Sequence, residues 1–325
     1  MSQSAVREYE DLGRSPTRLE KWLYAPAIPD WFAAGYFFTV VVGLTRSPDS
    51  AARNFYLLLV MGVLATYLAG VYFFRLRYEL RVSRRAYAPS LAYHLLPLAA
   101  ILTVFFNLRA ILPMLNGALY DETLHHLTVR MLGFEPTLAL EPYSSPIVVE
   151  WFAFFYYAYF FLIASFIFVM IFTSRSEKRL AYFATGFLMI VTVGHFIYAQ
   201  VPGLGPYAYL AHEYQAPLHG GVFYWMVLDT VSAAGAMRDI FPSLHTALPT
   251  YCALFAWRHY PRVAPLASFF AGNIMVATVV LRWHYATDVI AGLLLSVTAF
   301  IVAPWLVEVY QARRAEVGLA SLRRW

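Results

Sequence analysis

Long apolar runs, separated by short charged or Pro- and Gly-containing segments, follow one another along almost the whole chain. A helix needs about 20 residues to cross the hydrocarbon core of a bilayer, and eight runs approach or reach that length. They cover approximately residues 29–46, 54–74, 87–107, 147–173, 180–200, 243–257, 263–281 and 285–307. The first and the sixth are the shortest. The pattern predicts an all-α protein, a polytopic membrane helical bundle of about eight transmembrane helices.

Two connections between these runs, 108–146 and 201–242, are long and rich in Pro, Gly and His. Long connections in a compact helical protein are where a functional site is usually built. No internal repeat, low-complexity segment or linker divides the chain. We therefore expect the following order: a cytoplasmic segment 1–28, N-terminal spans 29–107, a catalytic membrane domain 108–307 and a cytoplasmic tail 308–325.

The distribution of Arg and Lys predicts how the bundle is oriented, because the cytoplasmic side of a membrane protein carries their excess. If the N-terminus is inside, 18 of the 24 Arg and Lys residues fall on cytoplasmic segments. An even number of spans, with both termini cytoplasmic, explains this distribution. Both long connections, His245 and His284 then lie at the extracytoplasmic face. The first residues lack the apolar core of a signal peptide, so we expect the first span to direct insertion into the plasma (inner) membrane.

The composition excludes a soluble domain, since 60% of the 325 residues are hydrophobic, 13% are charged and the mean hydropathy is +0.57. The 24 Tyr and 8 Trp residues fit aromatic belts at the two membrane interfaces, as they would fit buried pairs in a large core. The net charge of +5 flanks the spans and forms no basic stripe between stacking aromatics, so we expect no nucleic-acid partner. Cys252, the only cysteine, cannot form an intrachain disulfide.

Ionisable groups at membrane depth cost about 2.5 to 3.5 kcal/mol each and are usually present for function. The stretch LRWHYATDVIAGLLLS, residues 281–296, places His284 and Asp288 at i and i+4 at the start of a span. On a helix this spacing puts the carboxylate beside the imidazole. The carboxylate can then fix the ring tautomer and leave the other nitrogen free to attack an electrophile. The alternative is a His and an Asp that only satisfy each other near the interface.

A second constellation lies in MRDIFPSLHTALPTY, residues 237–251, where Pro242 suits the first turn of a helix. Ser243 and His245 follow it, and the free N–H groups of such a turn form a seat for a phosphate. A histidine beside the seat can protonate a leaving oxygen. A lone interfacial histidine more often only reaches toward water. Here one helical hairpin separates His245 from His284, and the hairpin should return the chain to the same face.

A third constellation, GHFIYAQVPGLGPY at residues 194–207, ends an apolar run in Pro and Gly, which by itself is typical of a simple helix end. It contains His195 and Tyr207, which with Tyr285 are our candidates for the substrate pocket. Candidate phosphate-binding cations on the predicted outer side are Arg109, Arg238 and Arg282, because guanidinium groups clamp phosphoryl oxygens in bidentate fashion.

The adjacent pair His125 and His126 diverges by about 100° on a helix, so it makes a poor metal pair. We expect both residues in an amphipathic segment, YDETLHHLTVRMLGF, along the interface.

These motifs resemble those of the type-2 phosphatidic acid phosphatase superfamily, and specifically its branch of inositol phosphorylceramide synthases and their bacterial relatives. The resemblance rests on FPSLH followed by HYATD, preceded by QVPGLGPY, and extends over residues 107–307. NLRAILP and YDETLHHLTVRMLGFEP are similar to the family's Arg and D-x-x-L-x-G-x-x-P elements. It implies a six-helix phosphatase-type core behind the N-terminal spans.

The resemblance also implies the chemistry. His284 would be the nucleophile that forms a phosphohistidine, Asp288 would orient it, and His245 would be the general acid. Ser243 and the adjoining backbone would bind phosphate, and neither a metal nor a cofactor would be needed.

Two positions depart from the phosphatase branch, which usually has PSGH where this chain has Leu244, and an arginine where it has Thr278. Both departures favour the inositol-transferring branch and leave Arg109 and Arg238 as better phosphate ligands than Arg282. The expected substrate is a lipid phosphoester, joined by a lipid alcohol acceptor if the reaction is a transfer, and a lipid phosphate phosphatase is the alternative.

Two other function classes fit the sequence less well. A proton-coupled transporter could use the intramembrane His and Asp residues as a relay, but they cluster at one face and no paired broken helices are present. A zinc enzyme lacks support, because no H-x-x-x-H or C-x-x-C spacing occurs. No motif separates phosphatidylinositol, phosphatidic acid, polyprenyl phosphates and ceramide-based substrates, and none indicates the oligomeric state.

Overall fold

The structure, a computed structural model, describes residues 17–79, 87–174, 176–234 and 238–316, and its regular elements in these ranges are all helical. The predicted all-α class of a polytopic helical membrane protein is confirmed. The α-helices are α1 (Arg18–Leu23), α2 (Ile28–Arg46), α3 (Ala51–Glu79), α4 (Tyr87–Phe105), α5 (Leu108–Leu115), α6 (Asp121–Leu132), α7 (Pro136–Ala139), α8 (Pro146–Phe168), α9 (Glu177–Gln200), α10 (Pro206–Tyr209), α11 (Val222–Ala234), α12 (Leu244–His259), α13 (Ala264–Val280) and α14 (Ala286–Glu316). A π-helical turn, Val169–Thr173, continues α8.

Each of the eight predicted runs coincides with a helix, but the helices differ in their capacity to span a bilayer. In the described ranges, five are long and apolar enough to cross: α2, most of α3, α8 with its π-helical turn, α9 and α14. The third run breaks between α4 and α5 with a bend of 67°, and it adds a sixth span if the pair is counted as one. The sixth and seventh runs, α12 and α13, have only 16 and 17 residues.

Helices that the spans do not account for lie in the two long connections. The first connection contains α6, in the place of the expected amphipathic segment, and a left-handed Gly133 ends it. The second contains α11, an apolar helix that the sequence reading treated as connection. Most of the predicted segment 1–28 and the end of the predicted tail 308–325 lie outside the described residues.

A buried carboxylate ties the N-terminal spans together. Asp30, in the first turn of α2, accepts hydrogen bonds from the hydroxyl groups of Tyr67 in α3 and Tyr93 in α4 and from the backbone N–H of Ala27. The Arg75 guanidinium donates to the Tyr93 hydroxyl at 2.8 Å. A carboxylate at this depth is costly without such partners, so the cluster fixes how these three helices pack.

Helix α12 lies at the centre of the bundle that follows the N-terminal spans. It contacts α8, α9, α13 and α14. Its side chains are buried on almost every side, which is why the run shows no amphipathic pattern. At Gly186 of α9 the absence of a side chain admits the Tyr251 ring of α12, whose hydroxyl donates to the Tyr182 carbonyl at 2.9 Å. Helix α2 packs on α9 and attaches the N-terminal spans to this bundle.

The backbone at the start of α12 is in direct contact with α14. A Cβ atom added at Gly292 of α14 would lie 2.4 Å from the Ser243 carbonyl oxygen. The Ser243 N–H donates to the Asp288 carbonyl oxygen at 3.0 Å. The glycine therefore permits an approach that sets where the first turn of α12 lies relative to the first turn of α14.

We predict that Gly292→Ala destabilises the protein, because its Cβ meets backbone that cannot rotate away. The expected loss of unfolding free energy is about 1 to 3 kcal/mol, as for overpacked interiors. Gly272→Ala on α13 is the matched control, since no atom lies within 4 Å of the Cβ it adds and alanine favours a helix. Thermal unfolding of the two purified variants in detergent compares them, and equal midpoints would contradict the prediction.

Candidate active site

The turn between α13 and α14 fixes the backbone of His284. The Thr278 carbonyl oxygen accepts hydrogen bonds from the N–H groups of Trp283 (2.9 Å) and His284 (3.1 Å). Arg282 adopts a left-handed backbone conformation, with φ of 64°, which is uncommon for a residue with a side chain. The hydrogen bonds to Thr278 therefore hold a turn that the sequence alone would not favour.

His284 and Asp288 are paired and buried. The His284 Nδ1 atom lies 3.3 Å from Asp288 Oδ2, which also accepts the Tyr285 N–H at 3.0 Å. The predicted proximity is present, but the two residues do not share one helical face, because α14 begins at Ala286. Asp288 instead lies in the first turn of α14, where the helix dipole favours a carboxylate. Its side chain reaches back to His284 and Tyr285, the two residues that precede the helix.

His245 is the second residue of α12, and Ser243 caps this helix. The Ser243 Oγ accepts the Thr246 N–H at 3.2 Å and its side chain is fully buried. The expectation that Pro242 occupies the first helical turn is wrong: it precedes the cap and follows a cis peptide bond. Ser243, predicted to bind phosphate, is used as a helix cap and is not among the residues that line the cavity described below.

The rings of His245 and His284 face the same space, with centroids 6.2 Å apart. The hairpin of α12 and α13 returns the chain to this point, as the spacing of the two motifs predicts. Tyr156 of α8 stacks on the His245 ring at 4.4 Å, and Tyr159 packs on it at 4.3 Å. These two aromatic contacts hold the plane of the His245 ring in place. The ring nitrogens lie at its edge and are not covered by the stacking.

A cavity of about 830 Å³ begins at these two histidines and extends between α4, α8 and α9. Its volume lies in the range of small-molecule sites. The polar and aromatic groups that line it near the two histidines include His195, Tyr198, Tyr207, Asp239 and Trp283. The rest of the lining is mostly apolar, with Asp30, Tyr93 and His94 where the N-terminal spans reach the cavity.

Three nitrogen atoms of these lining residues are buried without a hydrogen-bond partner in the described part of the chain. They are His195 Nδ1, His245 Nε2 and Trp283 Nε1. Leaving such an atom unpaired costs about 1 to 3 kcal/mol, and native structures do so rarely. All three residues line the same cavity, and a ligand with several hydrogen-bond acceptors, such as a phosphate group, would pair with those of the three atoms that face it.

Of the three candidates for the substrate pocket, the structure places His195 and Tyr207 in the cavity lining. The Tyr207 ring contacts that of Trp283 at 4.7 Å. Tyr285 does not line the cavity: it is fully buried and its hydroxyl donates to Asp121 at 3.2 Å. Its neighbour His284 faces the cavity, and at the start of α14 successive side chains point in different directions.

None of the three candidate arginines lines the cavity. Arg282 is directed elsewhere: its guanidinium donates to Glu141 at 3.1 Å and to the Ala216 carbonyl oxygen at 3.0 Å, and lies over the Tyr214 ring. It fastens the second long connection to the first. Arg109 is exposed on α5. Arg238, which precedes Asp239 in the sequence, is half-buried and donates to the Gly117 carbonyl oxygen at 3.5 Å.

Asp239 is a cavity residue that the sequence reading did not select. It precedes the FPSLH motif and lines the cavity with His245 and His284. Burial raises the pKa of its carboxyl to about 7, against the lowering effects of its own backbone N–H and of His284. An acidic residue three positions before Pro242, in a connection already expected to carry function, was the available signal.

Asp121, at the start of α6, holds the Pro- and Gly-rich connection that closes the site. Its carboxylate accepts the backbone N–H groups of Leu204 (2.9 Å) and Gly205 (2.8 Å) as well as the Tyr285 hydroxyl. Gly205 has φ of 91°, and a Cβ there would lie 2.5 Å from the Trp283 carbonyl oxygen. The connection thus lies directly on the turn that carries His284.

The adjacent histidines of α6 have separate partners. His125 Nδ1 lies 3.1 Å from Glu135, whereas His126 lies 3.8 Å from Glu122 on the exposed side. Among the described residues, no group of three or more His, Cys, Asp or Glu side chains could hold a metal ion.

The PAP2 superfamily model matches residues 123–302, more than half of the chain. The match includes α8 to α13, most of α14, both histidines of the site and Asp288; α1 to α5 precede it. No curated protein and no solved structure matches the chain.

We predict that Asp121→Ala destabilises the protein, because two backbone N–H groups and a buried hydroxyl lose their acceptor. The expected loss of unfolding free energy is about 3 kcal/mol, the value of a hydrogen bond to a charged group. Glu122→Ala is the matched control, since this neighbouring carboxylate is exposed and only approaches His126. Thermal unfolding in detergent measures both, and an Asp121→Ala midpoint equal to that of the control would refute the assignment.

Proposed function

The chain belongs to the PAP2 superfamily, and we propose that it transfers a phosphoryl-containing group from one lipid to another through a phosphohistidine on His284. Membership makes the protein a phosphatase or phosphotransferase of lipid phosphates, and its long apolar helices make it an integral membrane protein. The finer proposal is carried by one observation: His245 and His284 meet in one cavity, and Asp288 lies behind His284.

In the first step, the lone pair of His284 Nε2 attacks phosphorus and the bond from phosphorus to the leaving oxygen breaks. Asp288 accepts a hydrogen bond from the Nδ1–H group of His284, without taking the proton; this bond fixes the tautomer and stabilises the positive charge on the ring. His245 gives a proton to the leaving oxygen. The Tyr156 and Tyr159 rings hold His245 in the orientation that this transfer needs.

In the second step, an acceptor oxygen attacks the phosphohistidine, His245 takes the acceptor's proton, and the nitrogen–phosphorus bond breaks. A lipid alcohol as acceptor gives a transferase similar to inositol phosphorylceramide synthases, and water gives a phosphatase. Transfer is supported by the mostly apolar cavity, which suits a lipid alcohol, and by Leu244 of the FPSLH motif, a departure from PSGH that the inositol-transferring branch shares. The Leu244 side chain packs into the space left by Gly194 of α9.

The phosphate would be bound by nitrogen donors rather than by an arginine cluster. His195 Nδ1 and Trp283 Nε1 lack partners, and the first turn of α12 adds the favourable end of a helix dipole. Arg238 is the arginine that we retain as a ligand, because its hydrogen bond to the Gly117 carbonyl oxygen is long, at 3.5 Å, and its neighbour Asp239 lines the cavity. From the Arg and Lys distribution we propose that the site faces the extracytoplasmic side and both termini the cytoplasm.

An assay in mixed micelles tests the reaction. Purified protein receives labelled phosphatidylinositol or labelled phosphatidic acid, each with and without ceramide or diacylglycerol, and thin-layer chromatography separates the products. A new phosphoinositol lipid that forms only with acceptor supports transfer. Phosphate release that is independent of acceptor would establish the phosphatase instead, and no turnover of any lipid phosphoester would overturn the proposal.

We predict that His284→Ala abolishes turnover, by at least about 10³-fold, and that His245→Ala lowers it by about 10² to 10⁴-fold. His212→Ala is the matched control, because His212 is exposed in the second connection and does not line the cavity. Brief incubation with a phosphorus-labelled substrate and denaturation should leave an acid-labile label on wild type and on His212→Ala. Label on the His284→Ala protein would exclude this nucleophile.

We predict an alkaline loss of activity from Asp239. Its carboxyl is neutral below its pKa of about 7 and charged above it, and a carboxylate beside the phosphate repels it. Wild-type activity should therefore fall as the pH rises through about 7, and Asp239→Asn, which stays neutral, should keep its activity above that pH. Initial rates of both proteins between pH 5 and 9, a range chosen around this pKa, provide the comparison. If the two pH–rate profiles have the same shape, Asp239 does not cause the alkaline loss of activity.

A further inference from the structure

The apolar part of the cavity runs along the helices far beyond the two histidines. On α9, lining residues recur every three or four positions from Leu180 to Tyr198. At a rise of 1.5 Å per residue this stripe is about 27 Å long, close to the hydrocarbon thickness of about 30 Å. On α8 the lining extends from Tyr156 to Phe172. The cavity is therefore a groove that follows nearly the full depth of a bilayer.

The Asp and His residues of the lining lie at the two ends of this groove. The first end is the histidine site, and the second, the far end, is formed by Asp30, Tyr93 and His94 of the N-terminal spans. The hydrogen bonds of Asp30 to Tyr67 and Tyr93 satisfy the carboxylate there. Between the ends the lining is aliphatic and aromatic, from α4, α8 and α9: Leu98, Ile101, Leu102, Phe160, Ile167 and Phe187 are examples. Such a surface contacts hydrocarbon.

One wall of the groove lies outside the superfamily match. Helix α4 ends at Phe105, before residue 123, where the match begins. Leu102 of α4 and Phe161 of α8 both line the groove and are exposed, so the groove is open at its side. A chain can therefore enter from the bilayer without passing the histidines.

We propose that this groove binds one hydrocarbon chain of the donor lipid, and that the chain is longer than one leaflet, as in polyisoprenyl phosphates. The inference rests on the proposed function, since the phosphate at the histidines places the chain at the groove's first end. A bilayer core of about 30 Å is two chains deep, so an ordinary acyl chain reaches about 15 Å. The groove offers almost twice that length.

Physical reasons favour the substrate's own chain over a neighbouring lipid. Lipid tails are as apolar as the groove, so packing contacts and not water exclusion hold the occupant. A chain joined to a phosphate already bound at the histidines has a high effective concentration along the groove. An empty stretch beyond a shorter chain would forfeit those packing contacts.

The test blocks the groove halfway and compares two donors. Ala184 of α9 lines the groove 11 residues before His195, about 16 Å along the helix. Ala184→Trp should leave farnesyl monophosphate unaffected and lower kcat/KM for undecaprenyl monophosphate about tenfold or more. Ala164→Trp on α8, an exposed lining position, is the second block should Ala184→Trp not fold. Ala65→Trp is the matched control, because Ala65 is exposed on α3 and does not line the groove.

The outcomes separate this inference from the proposed function. Preference of wild type for the longer donor, lost in a blocked variant and kept in Ala65→Trp, supports the groove. Turnover of farnesyl monophosphate, phosphatidylinositol or phosphatidic acid without any preference for the longer chain overturns the groove inference and leaves the function standing. Equal loss with both donors in a folded blocked variant also overturns it. No turnover of any of these lipids contradicts the function itself.

Discussion

The site depends on the contact between the first turns of α12 and α14. Ser243 donates its N–H to the Asp288 carbonyl oxygen, and Gly292 leaves room for that approach. In a membrane interior a backbone group without a partner costs several kcal/mol, so this bond is strongly favoured. It places His245, two residues beyond the cap, beside His284, which lies just before the other helix. One backbone contact thus fixes two side chains that are about forty positions apart in the chain.

The buried carboxylates show how the protein divides structural from chemical roles. Asp30 and Asp121 each accept hydrogen bonds from several donors, and both join segments that are distant in sequence. Arg282, in the turn before α14, also pairs with Glu141 in the first long connection, although its Nε atom has no partner among the described residues. At the cavity the pattern is the reverse, since His245 Nε2 and other nitrogens there lack partners in the described residues. The carboxylates Asp30 and Asp121 thus have several donors each, whereas these cavity nitrogens have none among the described residues.

The N-terminal helices have more than a bracing role. The superfamily match begins after α5, yet α4 forms one wall of the groove that leads from the histidines. The Asp30 cluster fixes α4 against α2 and α3, and α2 packs on α9. Helix α4, outside the matched region, therefore helps to shape the apolar part of the cavity, whereas the matched region contains His245, His284 and Asp288.

The sequence by itself determined the helical class, the position of the eight apolar runs and the meeting of His245 with His284. These follow from hydrophobic run length and from the return of a helical hairpin, which are local properties of the chain. It also singled out Asp288. The two residues are only four positions apart, so they lie close together even though α14 begins at Ala286, after His284.

Only the tertiary structure decided which polar residues face the cavity. Arg282 and Tyr285 flank His284 closely in sequence, yet one pairs with Glu141 and the other with Asp121, and neither lines the cavity. Asp239 does line it, although it is not among the site residues that the sequence predicts. The direction of a side chain in a turn depends on backbone angles and on partners from distant segments, and no pattern of residue types along the chain contains that information.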